Sequence, residues 1–314
     1  MRYHHLFDPA NDPAAAPPRA GERRGAATGD RRDGGVYVYT EAIVLAINVG
    51  LATGRPILVR GPSGSGKSSL ARNAARVLGW RYYERVITSR TQAHDLLWEV
   101  DHLRRLQDAQ ARELQPDLVS YVRPGVLWWA FHRESALRQA QIAARREPEG
   151  GDQGGEHHRA VVLLDEIDKA DPDVPNNLLV PLGSLQFQVE GYGEPVRTHA
   201  AGAPLVFLTT NDERDLPGAF LRRCVELKLE AARGDRLVEI GRHHFPEIPE
   251  ATLQAIAELI SPPQDAEPDA MPSAAEYLDT VRASASLQVE PNSPTWQDLL
   301  QVTVWKHGRA PKAR

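Results

Sequence analysis

A glycine-rich segment that lies between a short apolar run and a helix-like stretch constrains this chain more than any other feature. The apolar run is Ile57-Leu58-Val59, the segment 61–69 reads GPSGSGKSS, and residues 70–78 are helix-forming. Glycine has no Cβ, so successive backbone N–H groups can turn inward around phosphate oxygens at the start of a helix. The pattern G-x-x-x-x-G-K-S between a strand and a helix therefore predicts a P-loop that binds the phosphates of a nucleotide.

The residue types in this loop also predict a metal ion. Lys67 is expected to reach the β- and γ-phosphates, and the hydroxyl of Ser68 is an oxygen ligand of the kind that Mg²⁺ prefers. ATP and Mg²⁺ are therefore the predicted cofactors; the alternative, an ordinary glycine-rich turn, is disfavoured by the flanking strand and helix. The predicted nucleotide-binding residues are Gly61, Pro62, Ser63, Gly64, Ser65, Gly66, Lys67, Ser68, Ser69 and Asp165, with Ser68 and Asp165 on the metal.

A second motif ends in two adjacent carboxylates. Residues 160–168 read AVVLLDEID, an apolar run typical of a strand that is buried on both faces. Ligands of open parallel sheets bind beyond the carboxyl ends of such strands. We expect Asp165 to bind Mg²⁺ through its water shell and Glu166 to polarise a water molecule for attack on the γ-phosphate. The alternative is a pair of solvated acids at the end of a surface strand.

A third apolar run, residues 205–210, ends at Asn211, and an arginine pair follows it. An asparagine amide can hydrogen-bond a water molecule or the γ-phosphate without adding charge. The pair Arg222-Arg223 closes the stretch L-P-G-A-F-L-R-R and is predicted to lie at the end of a helix, where one arginine could instead cap the helix C-terminus.

The order of these motifs resembles AAA+ ATPases, and most closely the MoxR-like branch. The shared motifs are the P-loop, D-E-I-D-K-A, T-T-N and L-P-x-A-F-L-R-R, and the resemblance spans about residues 40–282. It implies an α/β fold with a parallel P-loop sheet and a C-terminal helical lid. It also implies that the motifs are the Walker A, Walker B, sensor 1 and arginine-finger elements, with Glu166, Asn211 and Arg223 as catalytic residues and Arg222 as the other candidate finger.

The resemblance places the remaining segments as well. Residues 168–182 look like the helix after Walker B, and residues 187–197 alternate as a hairpin does. Residues 91–107 put Leu96, Leu97, Val100, Leu103 and Leu106 on one helical face. This helix belongs to the family's insert, about residues 91–158, which includes a polar, glycine-rich loop at 147–156.

Three domains are predicted from these patterns. Residues 1–35 are a disordered leader because they are rich in Pro, Ala, Gly, Arg and Asp. Residues 36–230 form the ATPase core, which starts with an extended segment, 36–39, that we expect near the adenine. A helix over 40–54 follows, with a wide buried face. Residues 231–314 form a lid of three amphipathic helices, one of which has a capping box of Ser273 and Glu276.

The lid departs from the family pattern at one position. MoxR-like ATPases carry P-S-T-R-E at the start of a lid helix, and its arginine is sensor 2. The corresponding residues here are Pro272-Ser273-Ala274-Ala275-Glu276, with Ala275 in the place of the arginine. Arg282 is the next cation along this helix, about two turns or 10 Å away. We expect weak coupling between the lid and the γ-phosphate.

Composition limits the possible partners and locations. The formal net charge is −5 and the pI is about 6.1, so the chain has no basic footprint for nucleic acid. No stretch approaches the length of a membrane span, which favours a cytoplasmic protein. The single cysteine, Cys224, excludes an internal disulfide and is expected to pack rather than react. The histidine pairs at 4–5, 157–158 and 243–244 have no metal-site spacing and are expected in solvated loops.

These observations predict an ATPase that works in a homo-oligomeric, hexameric ring and remodels or activates a protein client in a chaperone-like cycle. MoxR-like proteins commonly act with partners that carry a von Willebrand factor A domain, so the resemblance implies such a client. The alternative is a slow nucleotide-dependent switch in a defence or signalling system. A DNA-associated motor is disfavoured by the charge.

Overall fold

The computed structural model describes residues 3–11, 35–143, 158–199, 202–260, 272–291 and 293–304. These residues form two compact units. The first contains the described parts of Met1–Ala14, Glu41–Arg60 and Ala74–Leu227, and the second contains those of Ala15–Thr40, Gly61–Asn73 and Lys228–Arg314. The loop after the first strand thus groups with the C-terminal helices.

The secondary structure alternates between strands and helices, as α/β proteins do. The strands are β1 (Ile57–Arg60), β2 (Arg81–Val86), β3 (Trp98–Val100), β4 (Val122–Pro124), β5 (Ala160–Asp165), β6 (Gln186–Phe187), β7 (Val196–Arg197), β8 (Leu205–Thr210) and β9 (Val225–Lys228). The helices are α1 (Glu41–Thr53), α2 (Lys67–Leu78), α3 (His102–Ala111), α4 (Val126–Phe131), α5 (Arg133–Ile142), α6 (Asp173–Ser184), α7 (Gly218–Leu221), α8 (Asp235–His244), α9 (Glu250–Ile260), α10 (Ala274–Leu287) and α11 (Pro294–Thr303).

A five-stranded sheet in the order β2-β5-β8-β1-β9 organises the first unit. Strand β5 is parallel to both β2 and β8, and β8 is parallel to β1. Every residue of β5 and β8 is buried, which explains their unbroken apolar runs. Because these strands are parallel, their last residues, Arg60, Asp165 and Thr210, lie at the same end of the sheet, which is the carboxyl end of the strands. The predicted parallel sheet is confirmed.

The start of the chain is packed onto helix α1 by one buried amide. The Asn48 carboxamide oxygen accepts hydrogen bonds from the backbone N–H groups of Leu6 (2.6 Å) and Phe7 (2.9 Å), and its NH₂ group donates to the Phe7 carbonyl (2.9 Å). The Phe7 side chain is buried in the core. Residues 3–11 therefore differ from the predicted disordered leader; residues 12–34 lie outside the described residues, so disorder there stays a prediction.

Helix α1 begins and ends within one residue of the prediction, but its buried face is narrower than expected. Leu45 and Val49 are exposed, whereas Ile43, Ile47 and the polar Asn48 are buried. Periodicity could not separate these positions, because the helix is apolar almost all round.

The predicted single helix over residues 91–107 is wrong. The segment instead forms a 3₁₀ turn over Ala93–Leu96, then strand β3, which pairs antiparallel with β4, and only then helix α3. The Asp101 side chain starts α3 by accepting a hydrogen bond from the Arg104 N–H at 3.0 Å. Helix α3 has no buried residue, so its apolar positions did not mark a buried face. The predicted loop at 147–156 lies outside the described residues.

The segments on either side of α6 agree with the sequence. A 3₁₀ turn over Ile167–Lys169 leads into α6, and β6 pairs antiparallel with β7 as the predicted hairpin. The hairpin ladder contains two residue pairs. The centre of the Phe187 ring lies 6.0 Å from the centre of the buried Trp128 ring. Trp128 and Trp129 both lie in the core of the first unit.

The second unit has its own core between α8, α9, α10 and α11. Leu253, Ile256, Tyr277, Val281 and Trp296 are fully buried there. Within the described part of residues 231–314 there are four helices, where the sequence predicted three. Helix α8 was missed because few of its residues are apolar; it contributes Leu237 and Val238.

The predicted capping box at the start of α10 is confirmed. The Ser273 hydroxyl accepts from the Glu276 N–H at 3.2 Å, and the Glu276 carboxylate accepts from the Ser273 N–H at 2.8 Å. Within the described ranges, no helix has the length and hydrophobicity that a membrane-spanning segment requires. No cluster of three or more His, Cys, Asp or Glu residues in the same ranges is arranged to hold a metal ion.

We predict that Asn48→Ala lowers the free energy of unfolding by about 2–3 kcal/mol. The change leaves buried backbone groups of residues 6–7 without their partner, and each such group costs about 1–3 kcal/mol. Urea unfolding checks this value. Asn11→Ala is the matched control, since it removes only an exposed bond to Asp8, and should change the free energy by less than about 0.5 kcal/mol. Equal midpoints for Asn48→Ala and the parent would show that the segment is not anchored.

Candidate active site

The loop that follows β1 has the backbone conformation its glycines allow. Gly64 (φ +72°) and Gly66 (φ +88°) both lie in the left-handed region. A Cβ on Gly64 would lie 2.5 Å from the Ser273 hydroxyl oxygen, and one on Gly66 would touch the Tyr37 ring at 3.4 Å. Glycine is therefore required at position 64 for two reasons, backbone conformation and space.

The loop leads into α2, whose first residues carry the chemistry of the motif. Lys67 is largely buried, and its ammonium group donates hydrogen bonds to the carbonyls of Gly61 (2.7 Å) and Pro62 (2.9 Å). Ser68 is also buried. The first N–H groups of a helix have no acceptor within the helix, so this end attracts anions. The buried Ser65 hydroxyl oxygen has no hydrogen-bond partner among the described residues. This set of donors fits a polyphosphate, and the Ser68 hydroxyl fits a hard cation.

Within the second unit, the start of α10 contacts this loop directly. The Ala275 N–H donates to the Gly64 carbonyl at 3.3 Å. Arg282 is directed elsewhere: its guanidinium carbon lies 5.9 Å from the centre of the Phe245 ring, and its Nη1 lies 3.9 Å from the Asp279 carboxylate. Ala275 thus lies at the loop, with a methyl group for a side chain.

The two acids at the end of β5 share one hydroxyl. The Thr209 Oγ1 donates to the Asp165 carboxylate at 2.5 Å and accepts from the Glu166 N–H at 2.9 Å. Asp165 and Thr209 are both buried. The parallel pairing of β5 with β8 brings the three residues together.

Glu166 has an unusual backbone and a charged partner. Its backbone is left-handed (φ 63°, ψ 49°), a conformation that costs a residue with a Cβ about 1–2 kcal/mol. Its carboxylate oxygen lies 2.9 Å from the Lys169 ammonium nitrogen, and the hydrogen bond to Glu166 raises the pKa of Lys169. Lys169 therefore stays charged and holds the Glu166 carboxylate near the carboxyl end of β5.

Asn211 follows directly after β8, and the contacts of the next residue, Asp212, hold the loop that contains it. Asp212 is left-handed (φ 59°), its N–H donates to the Thr210 hydroxyl at 2.9 Å, and its carboxylate pairs with Arg60 at the end of β1. The Arg60 Nε also lies 3.3 Å from a Glu226 carboxylate oxygen. These contacts fix the loop that carries Asn211 to the neighbouring strand.

The family model described as AAA domain (dynein-related subfamily) matches residues 56–224, which is more than half of the chain. The chain belongs to this AAA family. It is therefore an ATPase, and the predicted ATP-binding enzyme class is confirmed.

The likeness to one solved structure supports the AAA fold. A single-site mutant of RuvB from Thermotoga maritima matches with a TM-score of 0.51 and 13% identity, over 87% of this chain and 71% of that one. The RuvB Holliday junction branch migration motor from the same organism gives a TM-score of 0.45 and 16% identity, over 86% and 70%. No curated protein matched the chain.

The arginine pair of this AAA protein lies at the end of α7, as predicted. Arg222 and Arg223 are exposed. The Arg223 guanidinium donates to the Ala219 carbonyl at 3.0 Å, and the Arg222 carbonyl accepts from Arg55 at 3.5 Å. Within a single chain Arg223 therefore caps its helix, which is the alternative that its position left open.

Cys224 is buried beside this pair. Burial, with a smaller contribution from Glu226, raises the pKa of its thiol to about 12. It packs in the core of the first unit, as predicted, and is not a nucleophile near neutral pH.

The site residues fall into two groups, one in each unit. Asp165, Glu166 and Asn211 lie at adjacent strand ends of the first unit, and the loop 61–69 lies with Tyr37 and the start of α10 in the second. Sequence reasoning missed Thr209, Lys169 and Arg60. A threonine inside an aliphatic strand and a lysine three positions after Glu166 are signals that could have identified the first two.

Proposed function

We propose that this AAA protein hydrolyses ATP with Mg²⁺ as a MoxR-like ring and uses the cycle to remodel or activate a protein partner. The observation that carries the proposal is the arrangement of Asp165 and Glu166 around the Thr209 hydroxyl, at the sheet edge where β1 also ends. The phosphate-binding loop follows β1 directly in the chain. The acids that phosphoryl transfer to water requires lie at the end of the sheet where β1 also ends.

Each residue of the site has a role in this proposal. The loop from Gly61 to Ser69 would bind the phosphates, with Lys67 on the β- and γ-phosphates, and Ser68 and Asp165 would hold Mg²⁺. When bound, Mg²⁺ neutralises charge on the phosphates. Glu166 accepts the proton of the attacking water, and Asn211 orients that water or the γ-phosphate.

The partners belong to the same proposal. Arg223, or Arg222, reaches the γ-phosphate of a neighbouring subunit in a hexameric ring. By resemblance to MoxR-like proteins, the client is a protein with a von Willebrand factor A domain. The net charge of −5 counts against nucleic acid. The single cysteine is consistent with the reducing cytoplasm.

A slow regulatory switch is the second candidate, and Ala275 is the observation that favours it. The contact between this residue and Gly64 is a backbone hydrogen bond, which does not depend on the charge of the phosphates. Phosphate-release assays separate the candidates once a client is at hand. A remodeller turns over ATP faster when the client is added, whereas a switch stays at its basal rate.

The first test separates nucleotide binding from hydrolysis. Lys67→Ala should weaken ATP binding at least 10-fold, because the phosphates lose their cation, while Glu166→Gln should bind ATP normally and lose at least 100-fold in turnover. Fluorescent-nucleotide titration and phosphate release measure the two effects.

The matched control is Glu258→Gln, an acid-to-amide change on the exposed side of α9 that should keep parental turnover. Parental turnover by Glu166→Gln would remove the assigned base. Parental affinity in Lys67→Ala would remove the assigned phosphate-binding loop.

The second test concerns the arginine pair. Arg223→Ala should lower turnover about 10³-fold or more, since a finger supplied in trans stabilises transition-state charge. The loss of a helix cap alone has no such effect on catalysis. Arg222→Ala is the comparison: a much smaller loss there assigns the finger to Arg223, and the reverse pattern assigns it to Arg222.

Mixing subunits distinguishes a finger from a cap. Rings that contain both Arg223→Ala and Lys67→Ala subunits should recover part of the activity, because one interface then has an intact pocket and an intact finger. Absence of recovery in rings proven to be mixed by mass spectrometry contradicts a finger supplied in trans.

The third test concerns the lid. On the Glu166→Gln background, ATP and ADP should bind with affinities within about 100-fold of each other, or 2.7 kcal/mol, because Ala275 provides no charge at the loop. Arg282→Ala should leave this ratio unchanged, since Arg282 faces Phe245 and Asp279. A larger ATP preference that vanishes in Arg282→Ala would identify a displaced sensor, and calorimetry measures both nucleotides.

A further inference from the structure

Thr209 is a polar residue in a strand that is otherwise built to be buried. It lies in the middle strand of the sheet, next to Val59 of β1, and its relative exposure is 0%. Leu205, Val206, Phe207 and Leu208 precede it in the same strand. A hydroxyl in such surroundings is unfavourable unless its hydrogen-bonding capacity is used.

Both of its bonds go to the two acids of the site. The hydroxyl has one hydrogen, which it gives to the Asp165 carboxylate at 2.5 Å, and it accepts the Glu166 N–H at 2.9 Å. One atom therefore sets the side-chain orientation of Asp165 and also holds the left-handed backbone of Glu166.

The two acids gain a fixed relative position from this arrangement. The Glu166 side chain is held at its carboxylate, where an oxygen lies 2.9 Å from the Lys169 ammonium nitrogen. The Asp165 carboxylate is buried, so its oxygens cannot reorient freely in water. Without the hydroxyl, a buried carboxylate oxygen loses a donor and a backbone N–H loses its acceptor. Both acids would then shift, and a misplacement of about 1 Å in a catalytic group can cost about 10²-fold in rate.

We propose that Thr209 is a positioning residue for ATP hydrolysis, which couples the metal-facing orientation of Asp165 to the placement of Glu166. The inference rests on the proposed function, because it takes Asp165 as the Mg²⁺-binding acid and Glu166 as the base. Thr209 itself contacts neither nucleotide nor water in this role and acts through the two carboxylates.

The test replaces the hydroxyl by a methyl group of similar size. Thr209→Val should lower the turnover number about 100-fold and raise the Mg²⁺ concentration needed for half-maximal turnover at least 5-fold. Nucleotide affinity measured in EDTA should change less than about 3-fold. Thr209→Ser keeps the hydroxyl and should keep turnover within about 5-fold of the parent, with the parental Mg²⁺ dependence.

Thr280→Val is the matched control for the chemical change. Thr280 is fully buried in the second unit, where its hydroxyl bonds the Glu276 carbonyl and Thr303. This variant removes a buried hydroxyl in the same way and should leave the Mg²⁺ dependence unchanged. If Thr209→Val does not fold, Thr209→Cys, which is close in volume and a weaker donor, carries the same expectation of a raised Mg²⁺ requirement.

The outcomes separate this inference from the function on which it rests. Parental turnover in Glu166→Gln overturns the assigned base, and with it the function. An inactive Glu166→Gln beside a Thr209→Val with the parental rate and Mg²⁺ curve overturns the positioning role alone. A folded Thr209→Ser that loses as much activity as Thr209→Val also overturns it, because the threonine would then be needed for its methyl group.

Discussion

The parallel pairing of β5 with β8 in the middle of the sheet is the interaction on which the rest of the site depends. Both strands are buried along their whole length, so their side chains are apolar until the last residues. Their carboxyl ends then leave the sheet at one edge, next to the end of β1. Polar groups can appear only there, which is why Asp165, Glu166 and Asn211 are close to one another although they are far apart in sequence.

Two neighbouring threonines of β8 hold the turns that follow β5 and β8. The chain turns out of the sheet through a left-handed residue in both places, Glu166 after β5 and Asp212 after β8. Each turn is held by a threonine hydroxyl that accepts the N–H of the left-handed residue, Thr209 in the first case and Thr210 in the second. The cost of the backbone conformation, about 1–2 kcal/mol for each residue, is offset by these bonds. Rigid turns of this kind keep catalytic groups in place.

Within the second unit, the start of α10 packs against the loop 61–69. Gly64 leaves room for Ser273, whose hydroxyl also caps α10, and the Ala275 N–H in the first turn of that helix donates to the Gly64 carbonyl. The helix therefore reaches the loop through neutral groups, and its nearest cation, Arg282, is engaged with Phe245 and Asp279.

The sequence by itself determined the fold class, the glycine-rich loop after β1, the polar residues that follow β5 and β8, and the capping of α10. These features follow from local rules: glycine conformation, apolar runs and spacing along the chain. The tertiary structure alone decided that Thr209 joins Asp165 to Glu166, that Arg60 anchors the loop after Asn211, and that Asn48 holds Phe7. It also divided residues 91–107 between a turn, a strand and a helix. Such contacts join residues that are distant in sequence, and periodicity in one segment carries no information about its partner in another.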